Sequence, residues 1–159
     1  RKPMKKIFAL ILTVCLLAAM TTTAFAANTT GGEADITTRI APTYTVTIPA
    51  DVNVQFNTTE TDFGAIEIAA SQIHPDKCIK VALATDKELN NAIDNTKVIP
   101  YAIKDSEGAE FISATYLTEG DKTELSIHIT ADDWNAAYAG DYSDTVTFTV
   151  SYVDKAANN

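Results

Sequence analysis

Apolar and polar residues alternate with a period of two along most of the chain. Tyr44-Thr45-Val46-Thr47-Ile48 is the first clear case, and its β-branched residues suit a half-buried strand. Val52, Val54 and Phe56 carry the alternation past Pro49, and the polar run Asn57 to Asp62 then marks a turn. Further strands are predicted over Phe63–Ile68, Cys78–Ala84, Val98–Ile103 and Glu110–Leu117. Pro100 lacks an N–H, which places the third of these at a sheet edge. Ala34–Ile40 is predicted as a weak first strand, and Asp86–Asn95 as a loop or short helix. Glu119-Gly120-Asp121 predicts a hairpin into Thr123–Thr130, where Leu125, Ile127 and Ile129 share one face. Thr130 followed by Asp132 and Asp133 is an N-cap signal for a helical turn that ends by Ala139-Gly140-Asp141. The cleanest alternation runs from Tyr142 to Tyr152 and is broken on its apolar side only by Asp144.

Short strands separated by frequent turns, each with one apolar face, need a second sheet to bury that face against. The expected fold is therefore all-β: an antiparallel, immunoglobulin-like (Greek-key) β-sandwich of seven or eight strands over residues 34–153. A barrel satisfies the same alternation.

Residues 1–26 follow a different pattern. Arg1, Lys2, Lys5 and Lys6 precede an apolar run from Ile7 to Met20, and Ala24-Phe25-Ala26 closes the segment with small-x-small spacing. That order is the pattern of a cleavable signal peptide, with Met4 as the expected natural start. The apolar run is shorter than the roughly 20 residues that span a bilayer as a helix. Cys15 lies inside the run rather than at its end, which disfavours lipidation. Residues 27–33 read as a flexible lead and 154–159 as a polar tail.

Charge sharpens the picture. Cleavage after Ala26 leaves 133 of the 159 residues, with eight Lys and Arg against all 21 acids, a net charge of about −13. Such acidity disfavours nucleic acid, whose phosphates attract clustered basic residues, and electrostatic binding to anionic membranes. Cys78 would be the one remaining cysteine, expected as a buried thiol on a strand. The destination is thus secreted, extracellular or cell-surface.

The search for chemistry returns little. His74 and His128 sit in no metal-binding spacing, and no serine lies in G-x-S-x-G. Asp132 with Asp133, and Asp141 with Asp144, are acid pairs for a calcium loop, but no EF-hand spacing is present. No catalytic residue, cofactor or metal is expected. The remaining candidates are aromatic: Trp134, Tyr138 and Tyr142 form a ligand or interface patch if exposed, and Trp134 plugs one end of the sandwich if packed inward.

The segments YTVTIPADVNV and AGDYSDTVTFTVSYVD, with the leader, resemble small surface domains of Gram-positive bacteria. The second resembles the closing strand of pilin-like, spore-coat-like and WxL-type domains, whose Gly-x-Tyr-x-x-Thr-Val pattern falls here on Gly140, Tyr142, Thr145 and Val146. Trp134 is followed by Asn135 and Ala136 rather than a WxL motif, and no LPxTG motif is present. The resemblance implies a non-catalytic structural or adhesion module whose partners are protein subunits or surface glycans. The alternative is a carbohydrate-binding module that uses exposed aromatics. An exposed sheet edge would accept a partner's strand, with Ala34–Ile40 as a donor.

Overall fold

A computed structural model describes residues 11–14 and 35–156. Residues 1–10, 15–34 and 157–159 lie outside the described residues, and with them most of the predicted leader, the predicted lead over 27–33 and Ala34 of the predicted first strand. The strands are β1 (Ile11–Val14), β2 (Thr43–Thr47), β3 (Glu60–Gln72), β4 (Lys77–Ala84), β5 (Glu88–Asn91) and β6 (Val98–Pro100). They continue with β7 (Ala102–Asp105), β8 (Ser113–Tyr116) and β9 (Lys122–His128). A short helix α1 (Ala131–Ala136) precedes β10 (Tyr142–Ser143) and β11 (Thr147–Asp154).

The strands form three sheets, ordered β1-β2-β3-β9-β7, β10-β5-β6 and β11-β4-β8, and every strand pair is antiparallel. One core joins all three. Val46, Ile66, Ile68, Leu125 and Ile127 come from the first, Ile99 from the second, and Ile79, Val81 and Tyr116 from the third. The fold is all-β and sandwich-like. The predicted alternation acts as expected here: Leu125, Ile127 and Ile129 are all buried. Full burial of a side chain of this size contributes about 1.5–3 kcal/mol.

The strand set differs from the prediction at several points. Residues 35–40 form no strand, and Ile36 is 99% exposed. Residues 52–56 alternate but form no strand. Pro49 interrupts the backbone donors, and Asn57, with φ of 66°, turns the chain into β3. Asp86–Asn95 is neither loop nor helix throughout, because Glu88–Asn91 pairs with Val98–Pro100. Pro100 is at an edge, as predicted, since β6 is the outer strand of its sheet. The segment Val98–Ile103 divides at Tyr101, where the chain passes from one sheet to another.

The Glu119-Gly120-Asp121 turn exists but makes no hairpin, because β8 pairs with β4 while β9 pairs with β3 and β7. The turn is an arch between sheets. The Asp121 carboxylate accepts the Leu117 and Thr118 N–H groups at 2.8 and 2.9 Å, and these bonds hold its pKa below the ordinary carboxylate value. The Gly120 N–H donates to the Ile68 carbonyl at 2.9 Å, tying the arch to β3.

The long terminal strand is also two strands. Tyr142–Ser143 pairs with β5, Thr147–Asp154 pairs with β4, and Asp144 sits at the break. Asp154 belongs to β11 rather than to the tail. Residues Ile11–Val14, within the predicted leader, pair with β2 at the end of the first sheet, with Leu12 opposite Val46 and Val14 opposite Tyr44. Among the described residues, no helix is long and apolar enough to cross a membrane.

Candidate functional site

Helix α1 places the central aromatic residue. The Thr130 hydroxyl accepts the Asp133 N–H at 3.1 Å, the N-cap its sequence predicts, and Asp132 and Asp133 lie in the first turn. The turn aims Trp134 inward, leaving it 8% exposed, and its indole N–H donates to the Thr58 carbonyl at 2.9 Å. Phe56 meets the indole edge-on, with ring centroids 5.5 Å apart. Tyr138 points outward and is 63% exposed, with the Lys97 ammonium 5.0 Å from its ring centroid. Tyr142 is half-buried, and its hydroxyl donates to the Tyr138 carbonyl at 2.9 Å. The three aromatics named from sequence thus take three different settings.

All three nonetheless line one open cleft of about 1020 Å³, formed between residues 50–56 and the segment from Trp134 to Val146. Exposed Phe56 and Tyr138 stand at this cleft with half-exposed Val52. Tyr101 and Asp144 also line it. The Asp144 carboxylate accepts the Tyr101 hydroxyl at 2.5 Å, the Thr85 hydroxyl at 2.8 Å and the Thr145 N–H at 2.6 Å. Partial burial pushes the Asp144 pKa up, but the bonds from Tyr101, Thr85 and Thr145 outweigh it and hold the group below the ordinary value of 3.8. Burial, and then the bond to Asp144, pushes the Tyr101 phenol well above its ordinary range.

Phe56, Tyr101 and Thr85 were not singled out from sequence. The signal for the polar group was Asp144 itself: a carboxylate on the apolar side of an alternating run needs partners inside. No comparable signal marked Phe56, whose exposure depends on where the 50–56 segment lies.

His74, His128 and Cys78 lie away from the cleft. His74 is exposed, and half-buried His128 shares a 2.9 Å hydrogen bond with the Ser126 hydroxyl. Cys78 is a buried free thiol. Among the described residues, no group of three or more His, Cys, Asp or Glu side chains is arranged to hold a metal. Of the calcium-pair candidates, Asp133 accepts the Thr130 hydroxyl and Asp144 holds the network just described.

Gly140 has a tertiary reason for lacking a side chain. Its φ is 148°, and a Cβ there would lie 2.6 Å from the Asn91 amide nitrogen. Asn91 is buried, and its carbonyl oxygen accepts the Ile93 and Asp94 N–H groups, closing the β5–β6 turn. Gly140→Ala is expected to displace Asn91 and cost about 1–3 kcal/mol. Urea unfolding of the variant checks this, and an unchanged midpoint would show that the turn gives way freely.

No family model matches the chain, and neither does any curated protein or solved structure. What the fold and the cleft define is an all-β, sandwich-like domain with an aromatic-rimmed cleft.

Proposed function

We propose that this protein is a non-catalytic extracellular or cell-surface module with a structural or adhesive role, assembling with other subunits. The observation that carries the reading is the composition of the cleft. Its rim presents exposed aromatic rings, while Tyr101 and Asp144, which line it, are committed to hydrogen bonds with each other and with Thr85 behind them. Such a surface can hold a partner by apolar contact. The Asp144 carboxylate already accepts three donors and its pKa is held low, which makes it a poor proton acceptor for substrate. The leader pattern and the acidity of the remaining chain support export.

The same reading takes the sandwich-like arrangement as an immunoglobulin-like Greek key. Strand connections that change sheets at Tyr101 and at the 119–121 arch support it, as does the Tyr142 hydroxyl reaching back to a carbonyl four residues upstream.

A glycan-binding role is the second reading, favoured by Tyr138, whose exposed ring at an open cleft suits stacking on a sugar. The processed protein, recovered from the medium of a host exporting the full chain, is applied to a glycan array and to bacterial surfaces. Binding is expected to fall by about tenfold or more in the Phe56→Ser/Tyr138→Ser variant. Binding to cells but not to glycans supports protein adhesion. Binding that survives the double substitution removes the cleft from either role.

A further inference from the structure

We propose that cleavage of the leader uncovers the β2 edge and that two copies of the processed chain then pair through residues 35–47, closing a symmetric dimer. The inference rests on the export and assembly reading above and names the partner as a second copy of this chain. The cleavage is hydrolysis of the Ala26–Ala27 amide by the exporting host's peptidase, leaving a carboxylate on Ala26 and an amine on Ala27.

The edge is competent to take a strand, because in the full chain it already holds one. Residues Ile11–Val14 form an antiparallel ladder along Tyr44–Thr47, outside β3. Removing residues 1–26 removes that strand and leaves a row of unpaired backbone N–H and C=O groups on β2. Exposed edges of this kind recruit further strands.

The segment just before β2 is equally unpartnered. Residues 35–40 are exposed and outside every strand, with Ile36 at 99% and Ile40 at 61% exposure. Ile36, Thr38 and Ile40 fall on one face of an extended chain. The shortest returns onto its own β2 are closed to this donor. A two-residue hairpin turn needs a left-handed residue at its first centre, and a three-residue loop needs one at its last. Those positions fall on Ala41 and on Pro42, whose φ is locked near −65°. A parallel return needs a dozen or more connecting residues, and only two separate Ile40 from Thr43. In the folded chain residues 35–40 pair with no strand of their own, which leaves them free for another chain.

Burial selects the register. Val46 and Tyr44 are buried on one face of β2, so the donor's apolar face must lie on that side. Ile36 then stands opposite the partner copy's Val46, Thr38 opposite its Tyr44 and Ile40 opposite its Pro42. Both chains satisfy this pairing at once about a two-fold axis at Ala41, which makes the interface closed and isologous. The four strands β2-β3-β9-β7 of each copy become one continuous eight-stranded sheet.

The test uses processed protein from the medium of a host exporting the full chain, with mass spectrometry reading whether residues 1–26 are gone. Light scattering is expected to show twice the processed chain's mass. Ile36→Asp, at a site exposed within its own chain, is expected to weaken the dimer by more than about tenfold with an unchanged circular dichroism spectrum. Thr37→Cys/Thr45→Cys is expected to form a disulfide between chains, because this register sets those positions opposite each other. A cleaved protein that stays monomeric overturns the dimer and leaves the adhesion reading standing. A dimer that is indifferent to Ile36→Asp and does not cross-link, or a disulfide within one chain, overturns the strand pairing. A retained leader overturns both readings, and the measured mass identifies that case.

Discussion

Trp134→Ala is expected to cost about 3–5 kcal/mol, the range for removing a large buried aromatic. Against a typical domain stability of 5–15 kcal/mol, this is a large share of the total. Three losses combine. The indole leaves the core at the end of α1, where it is 8% exposed. The Thr58 carbonyl loses the donor that bonds it at 2.9 Å. Phe56 loses the ring edge against which it packs, so the 50–56 wall of the cleft is released. Trp134→Phe separates these terms, because it keeps most of the packing and removes the N–H. That variant is expected to recover all of the loss except the hydrogen-bond term of about 1 kcal/mol and a smaller packing loss. Urea unfolding followed by circular dichroism measures both, since the chain has no other tryptophan to report by fluorescence. A loss below about 1 kcal/mol in Trp134→Ala would show that the 50–56 segment holds its place without the indole.

Asp144→Ala is expected to cost about 2–3 kcal/mol, because it strands donors that point at a charged acceptor. Tyr101 is 7% exposed, and its hydroxyl and that of Thr85 remain bonded to each other at 2.9 Å, so the loss is partial rather than complete. Tyr101→Phe combined with Asp144→Ala should therefore cost less than the two single changes added together.

The pH dependence has a definite sign. The folded-state pKa of Asp144 lies below its ordinary value of 3.8, so the carboxylate binds a proton more readily in the unfolded chain. Its contribution is complete above that ordinary value and is lost as pH falls through the lower folded value. The wild type should lose this stability in strong acid, and Asp144→Ala should show a flatter acid limb. Tyr101 acts at the other extreme. Its pKa is raised on folding, so its contribution is present below the ordinary value of 10.0 and is lost as pH rises beyond it. Equal acid limbs in wild type and Asp144→Ala would remove the carboxylate from the stability of this corner.

The strand content was legible because period-two alternation reports one buried face directly. Leu125, Ile127 and Ile129 show this, as do Ile79 and Val81. The N-cap at Thr130 was equally legible, because capping depends on residues within one turn. Alternation at Val52, Val54 and Phe56 misled, because the pattern cannot report whether a neighbouring strand is available. The Glu119-Gly120-Asp121 turn misled for a related reason: turn chemistry sets the bend but not which sheet receives each flank. The three aromatics of the candidate site were found by type, yet their settings were not, since Trp134 is buried on α1 while Tyr138, beyond the extended cap at Ala137, is exposed.

By itself the sequence determined local facts of this protein: most of its strands, where α1 begins and that Pro100 sits at an edge. These follow from side-chain periodicity, capping and backbone sterics, which act over a few residues. Only the tertiary structure decided that the last alternating run divides at Asp144 to serve two sheets, that Gly140 faces Asn91 and that residues 50–56 and 134–146 enclose one cleft. Those outcomes depend on partners far apart in the chain, and residue order along one segment carries no record of which partner will lie beside it.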